Sequence, residues 1–585
     1  MKSHDELAQW YQDFVTSTSD SRELAERDRD YVDNKQWTAE EQAILRKRKE
    51  PIVTINRIKP KIDSLIGLEV QSRVDVKAFP RTPKDEQSAE AATDSLRYIA
   101  DNSDFDQVKT DAAYNLFIEG TCGGVVEVEK TSRGFEVRPH HIPWDRLIID
   151  PRSCRKDGKD ARWMGMAIWM DTEEARRVFP KAEDGAFNSD RHTMGDTHDD
   201  KPKDLFISDS RTKLIEIYYR EAGQWHHCIF TGMGFLVKPR LSPYLDDESR
   251  PCNPIEIQRA FLDRDNNPYG YVRQMISVQD EINKRRSKAL HLVSMRQVIA
   301  EDGAVNNVNT AKREFAKADG WIVKNRGFDI DVQNTSDLAM GQFNLLQEGK
   351  DEIDSIGANA SVMGKDDRVQ SGRALQSRQQ AGMAELTPVL DGLRSWELRM
   401  YRQMWCRVKQ FWTEEKWVRV TDDEKNVKFV GLNKPVLYRD VLEQRGTPYD
   451  ALDPRLDEVV GIENAVAELD VDIILDAVPD TVNIQSEQFE LLVQMYQANP
   501  EAIPMEMIVE SSSLRNKAAI IERLQGGSEE EKAAKQQAAQ EAVQLEMQGK
   551  VVDIKATDAK AARDAAEAEK TQVEAMRMMV EPIGI

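Results

Sequence analysis

Apolar residues recur at helical spacing through the first 120 residues, at strand spacing over the next 140, and at helical spacing again from Tyr269. In the first region Thr38 and Glu41 have the spacing of a capping box before a short helix that Pro51 stops. Ile58, Ile62, Leu65, Ile66 and Leu68 give residues 56–73 a helical rhythm, and residues 85–100 and 106–119 read as two further helices. Gly120, Gly123 and Gly124 close the region. Residues 121–260 switch to short alternating or apolar runs between turn residues (GGVVEVEK, GFEVRPHHI, RLIID, WMGMAIWM, KLIEIYYR, HHCIFTGMGFLV), which predict a β-rich part. Within it, the polar run 181–210 reads as a surface loop.

From Tyr269 a helix is expected through residue 298, with Met275, Val278, Ile282, Leu290 and Val293 as its apolar positions. A small mixed module follows, with a turn at Gly303 and Asn306–Asn309 and strands at WIVK and FDIDV. A second helix begins near residue 338, so the pattern predicts an antiparallel stalk with a knob at its tip. Next comes a glycine-bearing basic loop, then a long helix whose buried face is Leu386, Val389, Leu390, Leu393, Met400, Met404, Val408 and Phe411, kinked or restarted at Pro388. A β-like patch at 417–430 and a loop-rich segment lead to a helix at 486–498 and shorter helices to Leu524. Gly526, Gly527 and Ser528 form a hinge. Residues 529–580 hold no proline and one glycine and predict a long terminal helix. Leu545, Val552, Ala559, Ala566, Val573 and Val580 fall seven apart on it, but the second heptad position is not reliably apolar. That thin seam suits helices standing side by side in a ring, or else a solvated helix that frays without partners. The fold class is α+β and mainly helical.

Composition narrows the function. A chain of 585 residues is too long for one core. Its net charge of −22 excludes a protein that wraps nucleic acid with its whole surface and leaves room only for local basic patches. No apolar run is long enough to span a membrane, and MKSHDELAQWYQDF holds no signal core. Cys122, Cys154, Cys228, Cys252 and Cys406 lack paired spacing and predict reduced thiols.

Two basic clusters stand out. Lys284, Arg285, Arg286 and Lys288, with Arg296 beyond them, lie on the first stalk helix without an acid between them. They suit a phosphate-facing patch, a solvated face, or salt bridges to a neighbouring subunit. Lys365, Arg368, Arg373 and Arg378 surround Gly364 and Gly372, which let backbone approach a ligand, while Asp366 and Asp367 dilute the charge. A diluted patch gives weak, nonspecific contact of the kind a sliding duplex needs, and no aromatic residues interleave for stacking on single strands.

Enzyme motifs are missing: there is no GxxxxGK[ST], G-x-S-x-G or H-E-x-x-H. The neighbours His140 and His141, and His226 and His227, point to opposite faces of a strand and chelate poorly. Asp263, Asp265 and Asn267 begin like a calcium loop, but Pro268 and Gln274 stand where the glycine and the bidentate glutamate belong. No catalytic residue, metal site or cofactor is expected.

In order along the chain, four segments resemble the portal proteins (head-to-tail connectors) of tailed double-stranded DNA phages, the short-tailed podovirus type in particular. They are RDRDYVDNKQWTAEEQAILRKRKEPIVTINRIKPKIDSLIGLEVQSRVDVKAFPR, NPYGYVRQMISVQDEINKRRSKAL, SGRALQSRQQAG and DVDIILDAVPDTVNIQSEQFELLVQM. The resemblance implies a dodecameric ring at one capsid vertex. Its regions would be a wing (1–260), stem helix 1 (261–298), clip (299–337), stem helix 2 (338–360), tunnel loop (361–378), long kinked helix and remaining wing (379–484), crown (485–526) and C-terminal barrel helix (527–585). It implies a virion protein assembled in the host cytoplasm, with nonspecific double-stranded DNA, the terminase large subunit, capsid and scaffold proteins and tail or adaptor proteins as partners, and no membrane. Two other classes compete: a scaffold or helical adaptor, suggested by the charged alanine-rich tail, and a metal-dependent nuclease.

Overall fold

The computed structural model describes residues 1–511 apart from 82–85, 188–210, 357–371, 422–426, 445–453, 476–491, 497–504 and a few single or paired positions. The terminal helix, with its seam Leu545, Val552, Ala559, Ala566, Val573 and Val580, lies outside the described residues, as does most of the polar run 181–210. The chain divides into two compact units, residues 1–420 with 427–477, and residues 421–426 with 478–585. In the second, Val493 and Ile508 pack with Leu492, Tyr496 and Met505.

The chain begins with α1 (His4–Val32), started by a capping box in which Ser3 accepts from the Glu6 amide and Glu6 reaches back to the Ser3 backbone. Leu7, Tyr11 and Phe14 bury its first half against Trp163, Ile215 and Phe230 of a five-stranded sheet. Helices α2 (Ala39–Arg48) and α3 (Ile58–Gln71) follow, then β1 (Val76–Pro80), α4 (Glu86–Asn102) and α5 (Phe105–Ile118). The capping box at Thr38 and Glu41 is present, and α3 to α5 lie within two residues of their expected bounds.

The β-rich part holds β2 (Thr121–Thr131), β3 (Gly134–Ile142), β4 (Leu147–Ile149), β5 (Trp163–Asp171), a short α6 (Thr172–Val178), β6 (Arg211–Glu221), β7 (Gln224–Phe230), β8 (Phe235–Leu241) and β9 (Ile255–Arg259). They form an antiparallel meander β4-β5-β6-β7-β8 and a three-stranded sheet β3-β2-β9. Two two-residue strands, β10 (Phe261–Leu262) and β11 (Pro268–Tyr269), lead to α7 (Val272–Ser294). Next come β12 (Gln297–Ala300), α8 (Val308–Phe315), β13 (Ile330–Gln333), α9 (Ser336–Ser355) and α10 (Gly372–Phe411). The unit closes with β14 (Lys416–Thr421), β15 (Val427–Leu432), β16 (Lys434–Leu437), α11 (Tyr438–Gln444), β17 (Val459–Glu463) and β18 (Val471–Leu475); β18 returns to pair with β1.

Helix α10 is the spine. It passes through Pro388 without a break, so the loss of one backbone donor does not restart it. Leu386, Val389, Leu393, Met400, Met404 and Val408 are buried as the spacing predicts, and Trp396 joins them. The helix lies so close to β2 that a Cβ on Gly124 would stand 2.7 Å from the Trp396 ring and 2.8 Å from the Met400 methyl group. Its polar face is buried too. Trp396 donates to the Glu256 carbonyl at 3.0 Å, Arg399 to the Glu256 carboxylate at 3.0 Å, and the wholly buried Arg407 to the Leu245 carbonyl at 2.9 Å.

Residues 51–56 run along α7 as a strap that Arg57 turns into α3. The Val53 amide donates to Ser287 Oγ (3.3 Å), Ile55 to Asn283 Oδ1 (2.9 Å) and Arg57 to Gln279 Oε1 (3.0 Å). Gln279 Nε2 returns a bond to the Ile55 carbonyl at 2.7 Å. Alternate strap residues meet every fourth helix residue because two extended residues advance about 6.6 Å and four helical ones about 6.0 Å. Just beyond, Arg57 pairs with Asp354 at 2.6 Å, and Lys61 donates to the Asp354 carbonyl at 2.9 Å and to the Ile356 carbonyl. A cation there complements the C-terminal end of α9. One segment therefore holds both α7 and α9 at their root.

Helix α1 reaches the same root. Arg273 pairs with buried Asp28 at 2.9 Å, and Tyr31 donates to Asp280. Arg29 donates to Glu119 at 2.5 Å. Burial nonetheless pushes the Glu119 carboxyl up to about 8, and Asp28 to about 6 against the pull of Arg273.

Two outcomes follow from this packing. Asn283→Leu removes the acceptor of the Ile55 amide, the donor to Gln36 Oε1 and one of the two acceptors of Gln279 Nε2, a loss of about 3 kcal/mol. Deuterium exchange at the Ile55 amide should then accelerate on the order of 100-fold. A carboxyl with a raised pKa favours the folded state while protonated, so Glu119 should withdraw stability as pH rises from 4.5 through about 8. Glu119→Gln should flatten the decline in Tm between pH 5 and 8 and leave the variant more heat-stable than the parent at pH 8.

Candidate channel and docking surfaces

Helices α7 and α9 pack as an antiparallel hairpin. Ile282 and Ile353 are wholly buried, and Gly349 sits where a Cβ would meet Ile282 at 3.4 Å and Val278 at 4.0 Å. The expected apolar positions divide: Met275 and Ile282 are buried, Val278 and Leu290 half-buried, and Val293 is exposed. Val272, Ile276, Ala289 and Leu292 are buried as well, and three buried positions are polar, namely Gln279, Asn283 and Ser287, which bind the strap or its neighbours. The helix expected to reach residue 298 ends at Ser294, because Gln297–Ala300 forms β12 and pairs antiparallel with β13.

Between the legs sits the small module of β12, α8 and β13. FDIDV contributes β13, as expected. WIVK is not a strand; it runs without regular structure, and Trp321 (82 %) and Val323 (75 %) stand out in solvent with Ile299 and Val308. The module is pinned locally, by Asn325 to the Gly303 carbonyl at 2.8 Å and by Lys324 to Asp329 at 3.2 Å. It therefore presents apolar side chains at the tip of the hairpin.

The basic cluster on α7 is largely engaged within the chain. Lys284 pairs with Glu41 at 3.0 Å, and Arg285 with Glu281 at 3.0 Å and with Gln342 at 3.2 Å. Arg286 lies 5.6 Å from the Phe343 ring centroid, and Lys288 is exposed. Lys365 and Arg368 lie outside the described residues, as does Arg296. Arg373 and Arg378, grouped with the loop by sequence, belong to the first turns of α10, which starts at Gly372.

The second histidine pair has structural partners. His227 Nε2 meets Glu216 at 2.8 Å, where Tyr218 also donates at 2.8 Å, while His226 stacks on Tyr219. Asp263 takes the amides of Asp265 and Asn267, both at 2.8 Å, closing the turn between β10 and β11. A cavity of about 230 Å³ lies beside α1, lined among others by Phe14, Arg22, Glu119, Trp144 and Arg259. The nearby hydroxyls Ser17 and Thr18 bond back to the Phe14 carbonyl. Among the described residues no three His, Cys, Asp or Glu side chains converge as metal ligands, the five cysteines are free, and no helix is long and apolar enough to cross a membrane.

Known proteins supply the wider context. A portal protein of Helicobacter pylori bacteriophage KHP30 is 20% identical over 412 residues, 67% of this chain and 63% of that protein's length. Among solved structures, a chain in the neck of an empty GTA particle computed with C6 symmetry aligns with 66% of this chain and 84% of its own length, at 10% identity and a TM-score of 0.29. The profile of a structural, non-enzymatic phage family matches residues 8–577. With nearly its whole length matched, the chain belongs to the phage P22-like portal protein family.

Proposed function

We propose that copies of this chain close into a ring at a capsid vertex, with the α7/α9 hairpin as the stem, and that double-stranded DNA passes through the opening during packaging and ejection. The observation that carries this reading is the hairpin itself: a stalk clasped at its root by residues 53–61 and ending in a module with Trp321 and Val323 exposed. Exposed apolar surface on a small, pinned module fits a docking platform. In this reading it receives the terminase during packaging and tail or adaptor proteins afterwards, while the wing faces capsid and scaffold proteins. Twelve subunits is the expectation carried over from the family resemblance.

The chain acts as a conduit and not as a motor. With a net charge of −22, the bulk of each subunit repels phosphates, and a few cations repeated around the ring centre the duplex without holding it. Lys365, Arg368, Arg373 and Arg378 are the DNA-facing group in this proposal, since the contacts of Lys284, Arg285 and Arg286 draw the stem cations elsewhere.

Electron microscopy of the purified full-length chain should show closed rings with a central hole; a compact monomer under conditions that favour assembly overturns the proposal. Replacing Arg368, Arg373 and Arg378 together with glutamine should leave the rings intact and lower genome packaging or retention by about tenfold, since each ring loses three cations per subunit. Parental retention in that variant overturns the DNA-facing assignment.

A further inference from the structure

The two legs of the stem carry opposite charge. Helix α7 holds five cations (Arg273, Lys284, Arg285, Arg286, Lys288) against two acids (Asp280, Glu281). Helix α9 holds five acids (Asp337, Glu348, Asp351, Glu352, Asp354) against one cation, Lys350. Adjacent helices of opposite sign would be expected to neutralise each other across the hairpin. They do not: among the described residues no ion pair joins α7 to α9. The cations of α7 turn to Glu41, Glu281, Gln342, Phe343 and Asp28, and Asp354 turns to Arg57. Lys288 on one leg, and Glu348, Asp351 and Glu352 on the other, are left facing solvent, and Lys284 keeps about half of its side chain exposed beside Glu41.

We infer that these two faces are one interface, in which the α7 face of each stem docks on the α9 face of the next copy around the ring. The inference rests on the ring reading and adds the surface that closes it. Charge decides the geometry. Pairing like faces about a two-fold axis would set cations against cations or acids against acids, whereas head-to-tail pairing sets each face against its complement and can propagate until a ring closes. The heights agree as well. Gly349 lies against Val278 and Ile282, which puts Glu348 level with residue 281. Lys284 is then three residues nearer the tip, about 4.5 Å along the axis. Two extended side chains span that offset, so neighbouring stems can meet with almost no slide. Met340 and Leu345, exposed on α9 toward the tip, supply apolar contact beside the charges.

The test uses the full-length chain and measures ring assembly by native mass spectrometry and electron microscopy. Lys284→Glu with Lys288→Glu, and separately Glu348→Lys with Asp351→Lys, should each raise the concentration needed for rings at least tenfold. All four reversals together should bring it back to within threefold of the parent. Glu41→Gln, which removes only the intrachain partner of Lys284, should assemble like the parent. Should a reversal disturb folding, the neutral pair Lys288→Gln with Glu348→Gln provides the second measurement. Parental rings should loosen as salt rises, and the neutral pair should lose most of that dependence. Rings in every variant with unchanged salt dependence overturn this interface and leave the portal reading standing. A parental chain that stays monomeric overturns both.

Discussion

The α7/α9 hairpin takes its direction from the match between two repeats, the four-residue step of a helix and the two-residue step of an extended chain. Gln279, Asn283 and Ser287 rise along α7 at the interval at which Arg57, Val53 and the intervening Ile55 present amides along the strap. Buried hydrogen bonds are directional and costly to leave unmade, so this ladder admits one register and one crossing angle. Arg57 and Lys61 then seat the end of α9 in the same segment. The α7/α9 hairpin is therefore oriented by a segment of its own chain.

Charged groups are also held inside around α10. Lys109 bridges Asp106 at 2.8 Å and Glu397 at 3.1 Å, Arg399 holds Glu256, and Arg407 is sealed under Tyr244. Paired ions of this kind add little net stability over apolar packing, but each is costly to break singly. Here they tie α10 to α5 and to the strands below it. The backbone makes its own concessions: Gly120 adopts φ +81° where a Cβ would sit 2.1 Å from Tyr269, and Gly124 lets α10 down onto β2.

The hairpin with a knob, the β-rich part and the buried face of α10 were all legible, because each is written in apolar periodicity. What failed to show was written in polar residues. Gln279, Asn283 and Ser287 look like a solvated stripe until the strap supplies their partners, and Val293, read as core, is exposed. Gln297 and Val298 read as the end of the first stalk helix, although β-branched Val298 and Ile299 belong together to β12. Helix α1 could have been found, since Leu7, Tyr11, Phe14, Ser21, Ala25, Asp28 and Val32 are buried at steps of three, four and seven, after a capping box at Ser3 and Glu6. The basic cluster on α7 was visible but not its destination, because Glu41, Gln342 and Phe343 are distant in sequence.

The clasp at the root also has a mechanical side. Helix α7 has 23 residues and the clasp runs along it from Gln279 to Ser287, so the seven residues beyond, about 10 Å, project from the grip. A tilt of about 10° at the grip would swing the far end by about 2 Å over that length. Since the strap contributes amides and not side chains to the ladder, Val53 and Ile55 can drift in evolution while the leverage persists.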